Sequence, residues 1–334
     1  MTGDPKRKAV FGMDFRHLKK TGERKLLSFS FDQLHFPACE RCNSKFSLLE
    51  GRVHQYFNRM FDSDFFNPVE IDDLLDWFDK VRIGLWLWSI TLGEMLDDVL
   101  PKFHITSRMG NKDRVLFIYE MQEYSTKGIQ FIGNNSPGFQ FTPSCFSLRI
   151  NNIYFFNYSY DFLFAKNIGF PYPTKILATD TPERHWMVDL VKGTEKIKLP
   201  LIKYNFLKAS TYIYQPICTN LNYVNKEDSE NYYDTRWVKD NLLNLSAGKG
   251  AIFYFDETLH RLPEDEELML YANSQKLDPK LFPNLIAKQT LSILETLNLI
   301  KIDETMLTEE QRQISKKNRA AILKSHRDFM KALR

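Results

Sequence analysis

Apolar residues recur along this chain with two different periods, and the change from one to the other divides it. Phe46, Leu49, Val53, Phe57 and Met60 fall three or four apart, which places them on one face of a helix. Asn67-Pro68 stops that pattern. A second helix is expected over 69–100, where Leu74, Leu75, Phe78, Val81, Leu85 and Trp88 form a wide apolar stripe. Asp72 and Asp73 favour the positive end of its dipole, and Pro101 lies beyond its end. Asp76 and Lys80 sit four apart there and predict a surface pair worth a few tenths of a kcal/mol, roughly.

From about 113 the pattern shortens to that of strands. The runs RVLFIYEM, GIQFIG, GFQFT, CFSLRI and IYFFNYSY are rich in Phe, Ile and Tyr and are separated by Gly, Asn or Pro. They predict an antiparallel sheet, with a hairpin turning at Asn151-Asn152. KIKLPLIKYNF and GAIFYFD are expected to add strands. Helix returns around 278–298 and 308–333, where Thr308 and Gln311 have the spacing of a capping box. The fold class is therefore α+β, with long helices, then an antiparallel sheet, then C-terminal helices.

Composition narrows the function classes. Of 334 residues 43% are hydrophobic, 26% charged and 14% aromatic, which is enough apolar surface for a large core. Net charge is only +3, but residues 1–26 and 308–334 each carry eight Lys/Arg against three acids. Basic ends fit contact with nucleic acid or an acidic partner, and also fit a solvated surface. The most apolar window, IGLWLWSITLG at 83–93, is 11 residues long, whereas a membrane span takes about 20. With no apolar leader in MTGDPKRKAV, a cytoplasmic protein without a membrane partner is expected.

Four cysteines, Cys39, Cys42, Cys145 and Cys218, are too few and too unevenly spaced for a disulfide framework. Cys145 and Cys218 read as buried thiols. Cys39 and Cys42 form a C-x-x-C, which is half of a tetrahedral zinc site. That half could be completed by histidines or by a partner chain, could be half-occupied, or could be a relic. A redox role would need a βαβ context that the pattern does not offer.

The run PACERCNSKFSLLE resembles the C-terminal half of the zinc-knuckle branch of the HNH (His-Me finger) endonucleases, where Cys-x-x-Cys is followed by His or Asn and then by Lys. The resemblance implies a small ββα-metal-like head over 1–62 with one knuckle. A body over 63–334 follows, a helical linker plus an α+β unit with a basic C-terminal helix. It implies a structural zinc on Cys39 and Cys42 and a catalytic Mg or other divalent ion. Asn43 takes the family's third position, a metal ligand at the helix start, and His54 and Glu50 are further candidate ligands. His17 is the candidate general base, sixteen residues before Gln33, which falls near the middle position that orients it, beside Asp32. His35 is an alternative base. Nucleic-acid contacts are implied at Arg41 and Lys45 around the knuckle and at Lys19 and Lys20 beside His17. The family's upstream C-x-x-C has no counterpart in 1–16, Asp14 stands three residues before His17 instead of next to it, and Lys20 replaces a proline.

The implied activity is metal-dependent hydrolysis of DNA or RNA phosphodiesters, by a nuclease or its degenerate descendant. Bacterial defence is its setting by analogy alone. The alternative is a non-catalytic nucleic-acid-binding or protein-binding subunit of a complex. Each candidate also has a plain reading: His17 as a surface histidine, His54 as an i,i+4 partner of Glu50, Asn43 as a helix cap. Elsewhere, GNNSPGF and SAGKG lack the spacing of a phosphate loop. DETLHRLPEDEE, with Asp256, Glu257, His260 and several further acids, reads as a solvated acidic loop, with cation binding as the other possibility. The aromatic strands at 139–164 read as core, with base stacking as the other possibility.

Overall fold

The computed structural model describes residues 8–13, 17, 20–23, 25–30, 40–62, 64–91, 105–120, 128–134, 136–141, 143–160, 172–178, 186–191, 211–217, 249–256, 258–270, 282–299, 301–303 and 307–332. Strands β1 (Lys8–Met13) and β2 (Leu26–Ser30) precede helix α1 (Glu40–Phe61), the short strand β3 (Phe65–Phe66) and helix α2 (Pro68–Thr91). Then come β4 (Asp113–Glu120), β5 (Ile129–Ile132), the one-turn helix α3 (Pro137–Phe141), β6 (Cys145–Ile150) and β7 (Ile153–Tyr160). β8 (Tyr172–Ala178), β9 (Trp186–Val191), β10 (Thr211–Gln215), β11 (Phe253–Asp256), β12 (Thr258–Arg261) and β13 (Leu268–Met269) follow. Helix α4 (Phe282–Leu299), strand β14 (Lys301–Asp303) and helix α5 (Glu309–Ala332) complete the α+β fold.

Nine strands form one sheet in the order β12-β11-β10-β4-β7-β6-β5-β1-β2. Its named pairs are antiparallel except β1 with β5, where Val10 lies opposite Gln130. β1 and β2, from the segment expected as the head, thus continue the sheet that the rest of the chain builds. β8, β9 and β14 make a separate three-stranded sheet, and β3 pairs with β13.

β4 and β7 are nearly continuous apolar runs because both faces of the sheet are covered there. One face carries Phe11, Leu116, Ile118, Phe131, Phe146, Leu148 and Phe155, which join Val53 and Phe57 of α1 and Leu74, Leu75, Phe78 and Trp88 of α2 in a single core. Phe57 meets Phe155 edge-on at 5.4 Å between centroids, and Phe11 stacks on Phe131 at 4.8 Å. Such pairs add about 0.5–1.5 kcal/mol each beyond the area they bury.

The helices start where side chains can satisfy their first amides. Asn67 Oδ1 accepts from Val69 N and Glu70 N, both at 3.0 Å, while Glu70 Oε2 accepts from Asn67 N at 3.1 Å. Asn67-Pro68 is therefore a stop and a start at once, with proline at the first helical position. The box expected at α5 is also formed: Thr308 N donates to Gln311 Oε1 at 2.9 Å, and Gln311 N to Thr308 Oγ1 at 3.2 Å. β6 and β7 turn at Asn151-Asn152, with Asn151 at φ 54° and its Oδ1 accepting from Gly128 N at 3.1 Å.

One expected strand is a helix. GFQFT alternates like a strand, but Ser136 and Pro137 before it are a helix start: Phe139 N donates to Ser136 Oγ at 3.2 Å and Gln140 N to Ser136 O at 3.1 Å. The glycines of GNNSPGF serve close packing. A Cβ on Gly133, which has φ +92°, would lie 2.5 Å from Ile286 Cγ2 of α4, and one on Gly138 would collide with Thr290 Cγ2. Of the acidic loop expected over DETLHRLPEDEE, Asp256 and His260 lie in the β11–β12 hairpin, where His260 stacks on Tyr254 across the strands at 5.3 Å, while Glu264, Asp265, Glu266 and Glu267 are exposed in the turn that follows. The strand expected at KIKLPLIKYNF, Cys218 and residues 92–100 of the expected second helix lie outside the described residues.

Candidate functional site

The first candidate site spans the chain order strand, strand, helix. β1 and β2 pair antiparallel from Lys8 opposite Ser30 to Met13 opposite Leu26. α1 then begins at Glu40, so Cys42 and Asn43 fall in its first turn, where the amide groups that lack helical acceptors favour anions and thiolates. Arg41 and Asn43 are exposed in that turn and Lys45 in the next, with Arg41 and Lys45 four apart on the side of the helix opposite Asn43. Ser44 Oγ donates to Glu40 O at 2.9 Å and tightens the helix start.

His17 lies between the two strands, its Nε2 3.9 Å from Glu23 Oε2, and its carbonyl accepts from Thr21 Oγ1 at 2.8 Å. Lys20 is exposed. Lys19, Gln33, His35 and Cys39 lie outside the described residues.

α1 carries Asn43, Glu50 and His54 on one side but far apart along its axis. At about 1.5 Å per residue, His54 is about 16 Å from Asn43, beyond what two side chains can span around one ion. Glu50 Oε1 is engaged by Lys80 Nζ of α2, which also lies 5.1 Å from the centroid of the Phe46 ring. Burial between the two helices draws Lys80 down to about 8. Asn43, Glu50 and His54 therefore do not converge, and no group of three or more His, Cys, Asp or Glu does so among the described residues. These three do not fit the catalytic divalent ion. For the structural zinc, only the backbone of Cys42 lies among the described residues, and the sequence supplies thiolate donors of the type a zinc half-site takes. Cys39 and Cys42 would hold the ion, which would brace the helix start structurally.

A second cluster was not foreseen as such. Asp72, Asp76, Asp79 and Arg82 lie at i, i+4, i+7 and i+10 on α2, a polar line down the face turned to the sheet. Opposite them stand Arg114 of β4 and Gln215 of β10, cross-strand partners of one another. Arg114 is wholly buried; it donates to Asp72 Oδ1 at 2.7 Å, to Asp76 Oδ1 and to Gln215 Oε1, and lies 3.5 Å from Asp79. Lys249 Nζ closes the outer side, 2.6 Å from Asp72 Oδ2 and 3.0 Å from Asp76 Oδ1. Asp79 accepts from Gly110 N at 2.8 Å and from Arg82 at 2.7 Å, and Arg82 donates onward to Asn157 Oδ1 at 3.1 Å.

Electrostatics in this clamp are set by burial against pairing. Burial alone would raise the Asp72 carboxyl, but Arg114 and Lys249 outweigh it and hold it below the ordinary value. Burial would lower Arg114, and Asp79, Asp76 and Asp72 reverse that. For Arg82 burial wins over Asp79 and the shift is downward. Three carboxylates face three cations, and every carboxylate already has a partner. The arrangement fastens α2 to β4, β10 and residues 249–250, and it leaves no carboxylate open for a ligand. Asp76, expected to pair with Lys80, instead turns inward to Arg114 and Lys249, while Lys80 takes Glu50. The legible signal was three aspartates, Asp72, Asp76 and Asp79, on one stripe of the helix.

Cys145 is a buried thiol as expected, raised to about 12 by burial, and carries no chemistry. No described helix is long and apolar enough to cross a membrane. The chain matches no family model, no curated protein and no solved structure.

Proposed function

We propose that this chain acts on the phosphodiester backbone of DNA or RNA as an HNH-type nuclease or a degenerate descendant of one. The observation that carries the reading is the order β1–β2–α1 with Asn43 in the first turn of α1, directly after Cys42 and flanked by exposed Arg41 and Lys45. In this reading Arg41 and Lys45 neutralise phosphate charge, and the first-turn amides of α1 point their hydrogens at a phosphate oxygen. Asn43 fixes the scissile group against the turn through its amide. His17 Nε2 takes the proton of the attacking water as its oxygen bonds to phosphorus. The P–O bond to the leaving sugar oxygen breaks, that oxygen takes a proton from solvent, and the Glu23 carboxylate stands beside the imidazolium.

The test is incubation of the full chain with plasmid DNA and with single-stranded RNA in Mg²⁺, Mn²⁺ or Zn²⁺. Cleavage that Asn43→Ala and His17→Ala abolish supports the catalytic form. Salt-sensitive binding without cleavage, weakened by Arg41→Gln/Lys45→Gln, supports the degenerate form. Neither cleavage nor binding overturns the reading.

A further inference from the structure

α5 is held to the fold mainly through its second half. His326 is buried there, its ring Nε2 2.8 Å from the Ala287 carbonyl of α4, and Arg327 pairs with Glu295 of α4 at 3.3 Å. The solvent side of the same helix carries a line of cations. At 100° per residue, Gln313, Lys316, Lys317, Ala320, Lys324, Arg327 and Lys331 fall within one stripe about 100° wide. Within it lies one acid, Glu309, 3.4 Å from Arg312, and Glu310 and Asp328 border it, Asp328 3.2 Å from Lys331. Lys316, Lys317 and Lys324 are exposed, and no described carboxylate pairs with them. An open groove of about 440 Å³ runs beside the first two, lined by Gln313, Ile314, Lys316, Lys317 and Ala320.

We infer that the outer stripe of α5 is a second docking surface for the nucleic-acid backbone, separate from the hairpin–helix end. The inference rests on the nucleic-acid reading above and assigns it a contact at the other end of the chain. Charge complementarity selects the occupant. Lys316 to Lys324 span about 12 Å of a straight helix, along which a duplex presents about seven phosphates at one charge per roughly 1.7 Å. Three ammonium groups on one line therefore each find a phosphate without base contact. Gln313 adds an amide donor, and exposed Ile314 an apolar contact for a sugar. Binding through this stripe is indifferent to sequence and steeply dependent on salt.

The experiment titrates the full chain into a fluorescein-labelled 20-base-pair duplex between 50 and 300 mM salt. It compares wild type, Lys316→Gln/Lys317→Gln/Lys324→Gln and the matching triple Lys→Arg variant. All three positions are exposed, and circular dichroism confirms the fold of each variant. The Gln variant is expected to lower the slope of log K against log salt by about 2.7 and the affinity at 0.1 M salt on the order of a hundredfold, while the Arg variant keeps both. Wild-type binding that the Gln variant leaves unchanged, but that Arg41→Gln/Lys45→Gln weakens, overturns this surface and leaves the nucleic-acid reading standing. Failure of wild type to bind any duplex or single strand overturns both. Binding to anionic phosphatidylserine vesicles that the Gln variant loses, with duplex binding unaffected, assigns the stripe to a lipid surface and also overturns the inference.

Discussion

Replacing Arg114 with methionine is the sharpest perturbation of the clamp under α2. The guanidinium is wholly buried and meets Asp72, Asp76 and Gln215 directly, with Asp79 at 3.5 Å. Removing one partner of a buried pair costs about 3–5 kcal/mol, because the other partners stay behind without compensation. Here Asp72 and Asp76 keep Lys249 and are 30% and 25% exposed, so water screens part of the loss. That places the expected cost near the lower bound, about 3 kcal/mol. Lys249 serves as the internal control. It touches the same two carboxylates but is 33% exposed, so Lys249→Met should cost about 1 kcal/mol or less. Asp79→Asn in the Arg114→Met background should deepen the loss, because Asp79 is also the carboxylate that buried Arg82 holds at 2.7 Å. Urea unfolding followed by tryptophan fluorescence reads all three, because Trp77 and Trp88 are buried in the adjoining core. A loss under about 1 kcal/mol for Arg114→Met, or an equal loss for Lys249→Met, would refute the argument.

Other outcomes follow from particular contacts. Gly138→Ala places a Cβ against Thr290 Cγ2 with His326 Nδ1 at 3.0 Å behind it, so overpacking should destabilise the junction of α3, α4 and α5 by about 1–3 kcal/mol, read as a lower Tm. Burial holds the His326 imidazole below its ordinary 6.5 despite the bond to Ala287 O. The unfolded chain then takes up that proton more readily than the folded one, so stability is complete above about pH 6.5 and falls as pH drops. The urea midpoint should therefore decrease from pH 8 to pH 5, and His326→Gln should flatten that dependence. Asn67→Ala removes the acceptor for Val69 N and Glu70 N at the start of α2 and should cost about 1 kcal/mol by denaturant unfolding.

What the sequence disclosed was local. The Thr308/Gln311 box, the Asn151-Asn152 turn and the start of α1 at the knuckle each depend on residues within four positions of one another, and each was legible. GFQFT misled because Phe139 and Phe141 alternate, and the Ser136-Pro137 start was needed to overrule that period. Long-range pairing left no local trace. Nothing near Val10 announces Gln130 as its parallel neighbour, and nothing near Asp76 announces Arg114, 38 residues on, or Lys249, 173 residues on. Glu50 looked open to a metal because its partner, Lys80, lies 30 residues away on the next helix. Of the candidate site, the placement of Cys42 and Asn43 near a helix start and their basic neighbours were readable, since the helical spacing begins directly after them. The separation of Asn43 from His54 emerged only once a single continuous helix joined them.

The most direct measurement titrates the full chain into labelled DNA and RNA strands of one sequence across a salt series, wild type beside Arg41→Gln/Lys45→Gln. The account predicts binding whose log K falls linearly with log salt, and a slope in the double variant shallower by about 1.4–1.8, the range from single-stranded to duplex nucleic acid. Absence of binding, or a double variant indistinguishable from wild type, would contradict the claim that the first turn of α1 addresses a phosphodiester backbone.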